Sequence, residues 1–307
     1  MTRTTALTAL IGIGALSIAV GGYQNPPAGG QGRGRGPAGP PMLEIKKVKD
    51  GLWMITGGGG NTAVFETANG LVIVDTKNPG TGQAILDTIK TVSSKPITTI
   101  INTHTHADHT GSNDFFGTAV EIVAHENTKA NMEKMDIFKG DKAAYLPKKT
   151  YKDKLTIGRG KDEIDLYYFG PAHTNGDSFV VFKALRAMHA GDVFAGKNTP
   201  IIDTNNGGSA VNYGKTLARA AQTIKDVDTV IGGHTDNPMT FADLRQYADF
   251  NNDFITWVQG EIKAGKTVDQ AAAEYKIPDK YAGYTVSTFF GGIKGNIQTA
   301  YNELGKK

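Results

Sequence analysis

The sequence His104-Thr105-His106-Ala107-Asp108-His109 places three imidazoles and one carboxylate within six residues. It follows the apolar, β-branched run at residues 97–101, which predicts a buried strand. The hexapeptide then lies on a loop at the carboxyl end of that strand, where ligand sites of layered α/β folds usually form. Because side chains two residues apart point the same way, His104 and His106 can converge on one cation, while Asp108 and His109 face a second position.

Three further potential ligands follow predicted strands in the same way. His173, Asp192 and His234 each come shortly after an apolar run, and a glycine directly precedes Asp192 and His234. A glycine there lets the backbone and a metal ion approach each other closely. With the hexapeptide, these residues give seven candidate metal ligands: His104, His106, Asp108, His109, His173, Asp192 and His234.

Length and composition narrow the class of protein. A chain of 307 residues with this apolar content can bury a substantial core, and one large domain with appendages is the simplest organisation. The formal charge of +3 is small and the basic residues are scattered, so we expect no nucleic-acid groove. The absence of cysteine leaves His and Asp as metal ligands, which favours zinc and keeps iron or manganese open.

The N-terminus has the pattern of an exported protein. Arg3 precedes a mostly apolar run at residues 6–20 and two glycines, which together predict a signal peptide over residues 1–22. The run is shorter than a bilayer span, so we expect export to the periplasm or the medium and no stable membrane insertion afterwards; a membrane anchor is the alternative. Residues 23–42, rich in Pro and Gly, predict a disordered linker.

The rest of the chain predicts an α/β fold with a catalytic domain over residues 43–240. Hydrophobic patterns predict strands at 43–48, 52–56, 62–66, 71–75, 97–101, 121–124, 164–169, 178–182, 187–190 and 229–231. Helical patterns occur at 83–93, 127–135 and 215–225. Strands alternating with helices after an antiparallel meander predict two sheets covered by helices.

Three segments outside these elements bear on the site. The lysine-rich residues 139–153 predict a surface loop bordering the cleft, and residues 57–61 predict either a mobile loop near the site or a wide hairpin. Residues 241–307 predict a helical C-terminal extension packed on the catalytic domain. Whether that extension also covers the cleft or supports a dimer stays open, as does the oligomeric state.

Four features in this order resemble the metallo-β-lactamase-fold superfamily of metallohydrolases over roughly residues 43–235: the hexapeptide at 104–109, His173, Gly191-Asp192 and Gly232-Gly233-His234. The resemblance implies an αββα sandwich of two mixed sheets flanked by helices, with two zinc ions at one edge. It also implies a division of the ligands: His104, His106 and His173 for the first ion, Asp108, His109 and His234 for the second, and Asp192 bridging both.

The resemblance implies a hydrolase in which a metal-bridging hydroxide, oriented by Asp108, attacks a small carbonyl substrate such as a β-lactam, lactone, ester or thioester. An iron-dependent oxidoreductase of the same fold and a phosphoesterase are the alternatives. One class of zinc β-lactamases has Arg and Cys where this chain has His109 and Asp192, and another usually lacks the bridging aspartate. The ligand set is therefore more similar to glyoxalase II, lactonases and general hydrolases, although export disfavours the intracellular substrate of glyoxalase II.

Five other polar residues receive predictions from their positions. Lys197 could bind a substrate carboxylate as a point charge, or be a solvated loop lysine. Asn212 and Tyr213 lie between the last two ligands, where a phenol could donate to an oxyanion or simply pack. His125 and His189 fit none of the ligand-bearing strand ends, so we predict structural roles for both.

Overall fold

The computed structural model describes residues 42–305. The predicted signal peptide (1–22) and all but the last residue of the predicted linker (23–42) lie outside the described residues. Between residues 42 and 305, no helix combines the length and the apolar composition that crossing a membrane requires.

The described residues form 13 strands, which are β1 Glu44–Lys49, β2 Leu52–Thr56, β3 Thr62–Glu66, β4 Leu71–Val74, β5 Ile97–Ile101, β6 Glu121–His125, β7 Lys149–Tyr151, β8 Lys154–Ile157, β9 Ile164–Tyr167, β10 Phe179–Phe182, β11 Ala187–His189, β12 Thr229–Ile231 and β13 Met239–Thr240. The α-helices within the same residues are α1 Gly82–Lys90, α2 Ala107–Thr110, α3 Glu126–Met132, α4 Ala210–Thr223, α5 Phe241–Lys263, α6 Val268–Glu274 and α7 Gly292–Leu304. Short 3-10 turns connect several of them.

The strands form two mixed sheets. The first sheet has the order β1-β2-β3-β4-β5-β6-β7, antiparallel up to β4 and parallel from β4 to β7. The second sheet has the order β13-β12-β11-β10-β9-β8, in which only the β11–β12 pair is parallel. The α/β fold class is thereby confirmed, with helices on the outer faces of two mixed sheets.

Period-two alternation explains why the first sheet is covered on both faces. In β4, Val72 and Val74 belong to the cluster between the two sheets, whereas Leu71 and Ile73 belong to the cluster under α1. Successive side chains of a strand point to opposite faces, so a strand that is apolar throughout must be buried on both sides. The rings of Phe65 and Phe182 meet across the sandwich with centroids 5.1 Å apart.

The second sheet is covered on its outer face by the C-terminal helices. Phe179 of β10 packs there in one apolar cluster with Leu217 of α4, Phe250 of α5 and Ile297 of α7. Burying a side chain of this size contributes roughly 1.5–3 kcal/mol to the free energy of unfolding. The residues from 241 onward therefore share a hydrophobic core with the sandwich.

Two predictions about local structure are wrong. The lysine-rich stretch 139–153 is not loop to its end, since β7 pairs there with β6 and buries Tyr151, and β8 follows without having been predicted. The helix predicted at 215–225 begins at Ala210, because the Ser209 side chain accepts a hydrogen bond from the backbone N–H of Asn212 and so caps it. Lysines at every second or third position hid the strand pattern, and small residues hid the helix start.

The parallel pairs bring the carboxyl ends of four strands to one edge of the sandwich. Asp75 follows β4 and residues 102–109 follow β5 in the first sheet, while Asp192 follows β11 and His234 follows β12 in the second. Crevices at the carboxyl ends of parallel strands are where ligands bind in such sheets. Six of the seven candidate ligands therefore follow these strands, and His173 lies on the segment after β9.

Candidate metal centre

The hexapeptide turns sharply after β5 to present its side chains. His106 has extended backbone dihedrals and begins the single-turn helix α2, whose residues His109 and Thr110 donate their N–H groups to the His106 carbonyl. The turn separates the two directions that the side chains take: His104 and His106 face one ligand group, and Asp108 and His109 face another. This is the separation expected from the sequence.

The first ligand group consists of four residues whose donor atoms lie within 4.8 Å of one another: His104, His106, His173 and Asp192. His106 Nδ1 lies 3.2 Å from His104 Nε2 and 3.0 Å from His173 Nε2. The carboxylate atom Oδ2 of Asp192 lies 4.0 Å from His104 Nε2 and 3.8 Å from His173 Nε2. Residues that are up to 88 positions apart in sequence therefore converge on one point.

In each histidine of this group, the ring nitrogen that points away from the other ligands, here called the outer nitrogen, faces a hydrogen-bond acceptor. The nitrogen that points toward the other ligands is called the inner one. His173 Nδ1 lies 2.7 Å from the carbonyl of Ile201, and His106 Nε2 lies 2.7 Å from Oδ2 of Asp203. His104 Nδ1 lies 3.0 Å from the Thr103 hydroxyl, which itself donates to Asp75. Each ring nitrogen that faces an acceptor carries the hydrogen, so the inner nitrogens are left with lone pairs.

These converging lone pairs fit a cation. Burial, followed by the neighbouring histidines His109 and His106 respectively, lowers the pKa of His104 well below its usual value and that of His173 to about 4. Both rings are therefore neutral at pH 7, which is the form that binds metal. Three lone pairs this close together repel one another unless a positive ion lies between them.

The second ligand group is Asp108, His109 and His234. Nε2 of His234 lies 3.4 Å from Nε2 of His109 and 3.3 Å from Oδ2 of Asp108. The side chain of His109 is fully buried, whereas those of Asp108 and His234 are 32% and 38% exposed. This group therefore opens to solvent on one side.

Asp192 lies between the two groups. Besides its approach to the first group, it places Oδ1 3.2 Å from His109 Nε2 and Oδ2 3.2 Å from His234 Nε2. Its Oδ1 atom is buried and forms no hydrogen bond within residues 42–305. A Cβ on Gly233 would lie 1.9 Å from that atom, so a glycine is required beside it. A buried carboxylate that faces histidine nitrogens of both groups fits a ligand shared by two cations.

Electrostatics differ between the two groups. Burial opposes charge on His109 and His234, but the carboxylates of Asp192 and its neighbours outweigh burial, raising the pKa of His109 well above 6.5 and that of His234 to about 9. Burial also opposes charge on Asp108, yet His109 and His234 lower its pKa to about 2. In the protein without metal, protons on these histidines balance the carboxylates, and a divalent cation would take their place.

Sequence reasoning missed the support behind His109. Asp75 is fully buried, accepts hydrogen bonds from the backbone and hydroxyl of Thr103, and lies with Oδ2 2.7 Å from Nδ1 of His109. A carboxylate behind a metal-binding histidine fixes the orientation of the ring and raises its basicity. The sequence did carry the signal, since Asp75 is the last residue of the strand predicted at 71–75.

The glycine run packs directly against the second group. A Cβ on Gly60 would come within 2.1 Å of the His109 ring, and the Gly60 N–H donates to the Asp108 carbonyl at 2.9 Å. The buried Lys77 ammonium holds the run from behind, donating to the carbonyls of Ile55 and Gly60. Residues 57–61 therefore form the wide hairpin between the paired strands β2 and β3, and this hairpin lies at the site, held in place by hydrogen bonds.

The three predicted substrate-binding residues have other partners. The Lys197 ammonium pairs with Asp243 at 2.7 Å, and the Asn212 amide donates to the Ser209 hydroxyl. Tyr213 requires a correction: it is fully buried and donates its hydroxyl to the backbone carbonyl of Asp192, so it cannot reach a substrate oxyanion. Its ring instead supports the loop that carries Asp192.

The two remaining histidines lie outside both ligand groups. Nε2 of His125 lies 2.7 Å from the Lys152 carbonyl, and its Nδ1 accepts from the N–H of Asn127 at the start of α3. His189 connects two loops in the same manner, through the Asn61 carbonyl and the Gly191 N–H. These contacts agree with the structural roles predicted for both.

The sequence is similar to those of known proteins. A family model described as the metallo-beta-lactamase superfamily matches residues 55–234. The chain is 30% identical over 166 residues to 2,4-dinitroanisole O-demethylase subunit alpha of Nocardioides sp. (strain JS1661), an alignment covering 53% of this chain and 50% of that protein. It is 37% identical over 71 residues to metallo-beta-lactamase domain-containing protein 1 of Rattus norvegicus, covering 22% and 28% of the two chains. The chain thus spans about half or less of these curated relatives.

Solved structures share the fold. The sec-alkylsulfatase Pisa1 from Pseudomonas sp. superposes with a TM-score of 0.70 at 17% identity, covering 87% of this chain and 51% of that one. A metallo-beta-lactamase from Pontibacter korlensis superposes with a TM-score of 0.59 at 20% identity, covering 69% and 99%. At these identities the likeness concerns the fold alone.

Proposed function

This chain belongs to the metallo-beta-lactamase superfamily, and we propose that it is a dinuclear zinc-dependent hydrolase of a small-molecule substrate. A His/Asp cluster able to bind metal is present. The observation that carries the finer proposal is the buried Asp192 carboxylate, whose oxygens lie 3.2 Å from His109 and His234 of one ligand group and 3.8–4.0 Å from His173 and His104 of the other. All-nitrogen and carboxylate ligands without thiolate suit zinc, with iron or manganese as competitors.

Two cations bound here would supply water of lowered pKa together with Lewis acidity toward the bond that is cleaved. The protein contributes orientation, because Asp75, Asp203 and the Ile201 carbonyl fix the rings of His109, His106 and His173. Asp108 reaches solvent at the open side, so it is placed to orient the attacking water by accepting a hydrogen bond from it.

The substrate we propose is a small carbonyl compound, namely a β-lactam, lactone, ester or thioester. A second candidate is hydrolysis of a C–O bond in a sulfate ester or an aryl ether. It is favoured by the similarity to an O-demethylase subunit, and by the alkylsulfatase fold covering 87% of this chain against 69% for the β-lactamase. A phosphoesterase and an iron-dependent oxidoreductase remain the alternatives on the same ligands.

The experiment is a substrate panel on zinc-loaded protein beginning near residue 23. The panel contains a chromogenic cephalosporin, a lactone, p-nitrophenyl acetate, a secondary alkyl sulfate, p-nitroanisole and p-nitrophenyl phosphate, each assayed before and after chelation. Asp192→Asn removes the shared ligand, and Asp50→Asn is the matched control because that carboxylate is 95% exposed in the turn between β1 and β2. Metal analysis of protein as isolated separates zinc from iron.

We expect turnover of a carbonyl substrate that chelation abolishes and zinc restores, lost in Asp192→Asn and kept in Asp50→Asn. Turnover confined to the sulfate or to p-nitroanisole would move the assignment to the second candidate. Iron as the isolated metal, with no hydrolysis after zinc loading, would overturn the hydrolase proposal.

We also propose that the protein is exported, on the basis of the sequence of residues 1–22. Expression of the full chain in a bacterium, followed by fractionation and N-terminal sequencing, tests this. Processed protein outside the cytoplasm is the expected result, and an unprocessed chain retained in the cytoplasm would contradict it.

A further inference from the structure

One partly exposed aromatic side chain packs against the candidate metal centre from the far end of the chain. The Phe290 ring stacks on the His106 ring, with centroids 5.8 Å apart and planes 21° from parallel. Phe290 is nevertheless 45% exposed. Val286 and Phe289, which are close to it in sequence, are also exposed, at 47% and 66%. Exposed apolar side chains that cluster beside polar groups mark ligand or interaction sites.

A short segment of the C-terminal region positions this ring. We call residues 284–291 the aromatic strap, because it carries both Phe289 and Phe290. The strap is tied to the segment after Asp192: Thr285 donates to the Lys197 carbonyl and accepts from the Thr199 N–H, at 3.0 and 2.8 Å. The strap is therefore attached to the same stretch of chain that leads to Ile201 and Asp203, the partners of His173 and His106.

The backbone at Phe290 is held in an unusual conformation. Its φ of 49° and ψ of 40° lie in the left-handed region, which bulky side chains rarely adopt. Helix α7 packs underneath, where a Cβ on Gly295 would lie 2.2 Å from the Phe290 carbonyl oxygen. Strained residues that the surrounding structure enforces cluster at ligand sites.

Phe290 lies over the one partly exposed ligand of the first group. The ligand side chains that reach solvent are His106, Asp108 and His234, at 19%, 32% and 38% exposure. Phe290 stands over His106, the exposed ligand of the first group. A molecule that binds over the first group from the solvent side would therefore meet the phenyl ring.

We propose that Phe290 is a specificity-determining residue that selects substrates with an aryl group next to the bond that is cleaved. The proposal rests on the proposed hydrolase function and adds the class of substrate. Aromatic rings prefer offset-stacked or edge-to-face contact with other aromatic rings, and such contact adds to the burial of apolar surface. A smaller alkyl group gains less binding free energy from contact with the Phe290 ring, and a charged group gains none.

The kinetic test compares phenyl acetate with ethyl acetate in the zinc-loaded full chain. The ratio of the two kcat/KM values is measured for wild type and for Phe290→Ala, so that the intrinsic reactivity of each ester cancels. We expect the ratio to fall roughly three- to tenfold, the size of one aromatic contact, mainly through a higher KM for phenyl acetate. Phe290→Tyr keeps the ring and should keep the ratio.

Two controls separate a specific contact from a general one. Phe289→Ala removes the neighbouring ring, which is 66% exposed on the same strap, and Phe115→Ala removes an exposed ring that packs near Gly82 on another element. Both should leave the ratio within about twofold of wild type. Thermal unfolding of each variant verifies that it folds.

A binding measurement keeps the inference independent of turnover. Calorimetric titration with phenylacetate and acetate compares two anions that share a carboxylate and differ in the phenyl group. Wild type should bind phenylacetate at least severalfold more tightly, and Phe290→Ala should bind both alike.

The two proposals fail in different ways. Hydrolysis of both esters with an unchanged ratio in Phe290→Ala would overturn the role of Phe290 while the hydrolase stands. If no substrate is hydrolysed but wild type prefers phenylacetate and Phe290→Ala does not, the hydrolase proposal is wrong and the role of Phe290 in binding an aryl group stands. Equal binding of the two anions by wild type, or no binding of either, would overturn the role of Phe290 in binding an aryl group.

Discussion

The two ligand groups are built differently, although a single carboxylate joins them. In the group of His104, His106 and His173, each ring has an acceptor behind it and two of the three are buried. In the group of Asp108, His109 and His234, two side chains are about one-third exposed, and His234 contacts the other ligands themselves. Preorganised ligands bind more tightly, so the first position should hold its ion more strongly than the second.

The second group has one rigid member. His109 is fully buried, with Asp75 behind its ring and Gly60 against its face. The contrast therefore lies between a closed position and a half-open one that is anchored by His109. The open half is where a substrate can replace solvent, which is a common division of roles in metal hydrolases.

The largest effect on metal binding and activity should come from Asp192, because it contacts both ligand groups. Asp192→Asn removes a ligand from both positions, so we expect bound zinc to fall below two ions per chain and kcat/KM to fall by more than about a hundredfold. Metal analysis after desalting, together with assay of the best substrate in the panel, checks both. Two tightly bound ions in the variant would show that Asp192 is not shared.

Substitution of Asp203 and of Asp75, the carboxylates that contact ligand histidines from behind, should weaken zinc binding at different positions. Asp203→Asn loosens His106 and Asp75→Asn loosens His109, since each contact is a 2.7 Å hydrogen bond from the ring. We expect a loss of about 10- to 100-fold in zinc affinity, at the tighter position for Asp203→Asn and at the weaker position for Asp75→Asn. Competition with a zinc-binding dye resolves the two. The same position weakened by both variants would contradict the assignment.

A steric change should act on the second position alone. In Gly60→Ala the new methyl group meets the His109 ring within 2.1 Å, so the loop or the ring must move. We expect roughly tenfold weaker zinc binding at the second position and little change at the first. Gly260→Ala is the matched control, because a Cβ there has no neighbour within 4 Å and the residue lies within α5. An equal effect of the two substitutions would show that contact between Gly60 and His109 does not control zinc binding at the second position.

The smallest effect concerns the lysine behind the glycine run. Burial outweighs Asp75 and Asp108 and lowers the Lys77 pKa to about 7, whereas the unfolded chain keeps the usual value near 10.5. Between these values the unfolded state binds the extra proton, so the free energy of unfolding should rise with pH relative to Lys77→Met. Urea denaturation of chelated protein from pH 7 to pH 10 measures the difference. A difference between the two proteins that is independent of pH would show that folding leaves the Lys77 pKa near 10.5.

Sequence reasoning predicted the fold and gathered the candidate ligands because both depend on local patterns. Alternating apolar residues mark the strands, and each of His173, Asp192 and His234 follows a strand directly or closely. The supporting contacts could not be read in this way. Asp203 meets His106 across 97 residues of sequence, and Phe290 reaches the same ring from the C-terminal helices. Such pairings depend on how loops cross at the edge of the sandwich.

Tyr213 shows the opposite error. Its place between two ligands in sequence favoured a role toward substrate, yet helix α4 begins early and turns the side chain into the core, where its hydroxyl meets the Asp192 carbonyl. Sequence proximity to ligands does not specify which face of a helix a residue occupies.

The most direct test of this account is a calorimetric zinc titration of chelated wild type beside His234→Ala. Wild type should bind two ions per chain with distinct affinities, and His234→Ala should keep the tighter ion and lose the weaker one. Two equal sites in wild type, a single site, or loss of the tighter ion in His234→Ala would contradict the division into a closed and a half-open position.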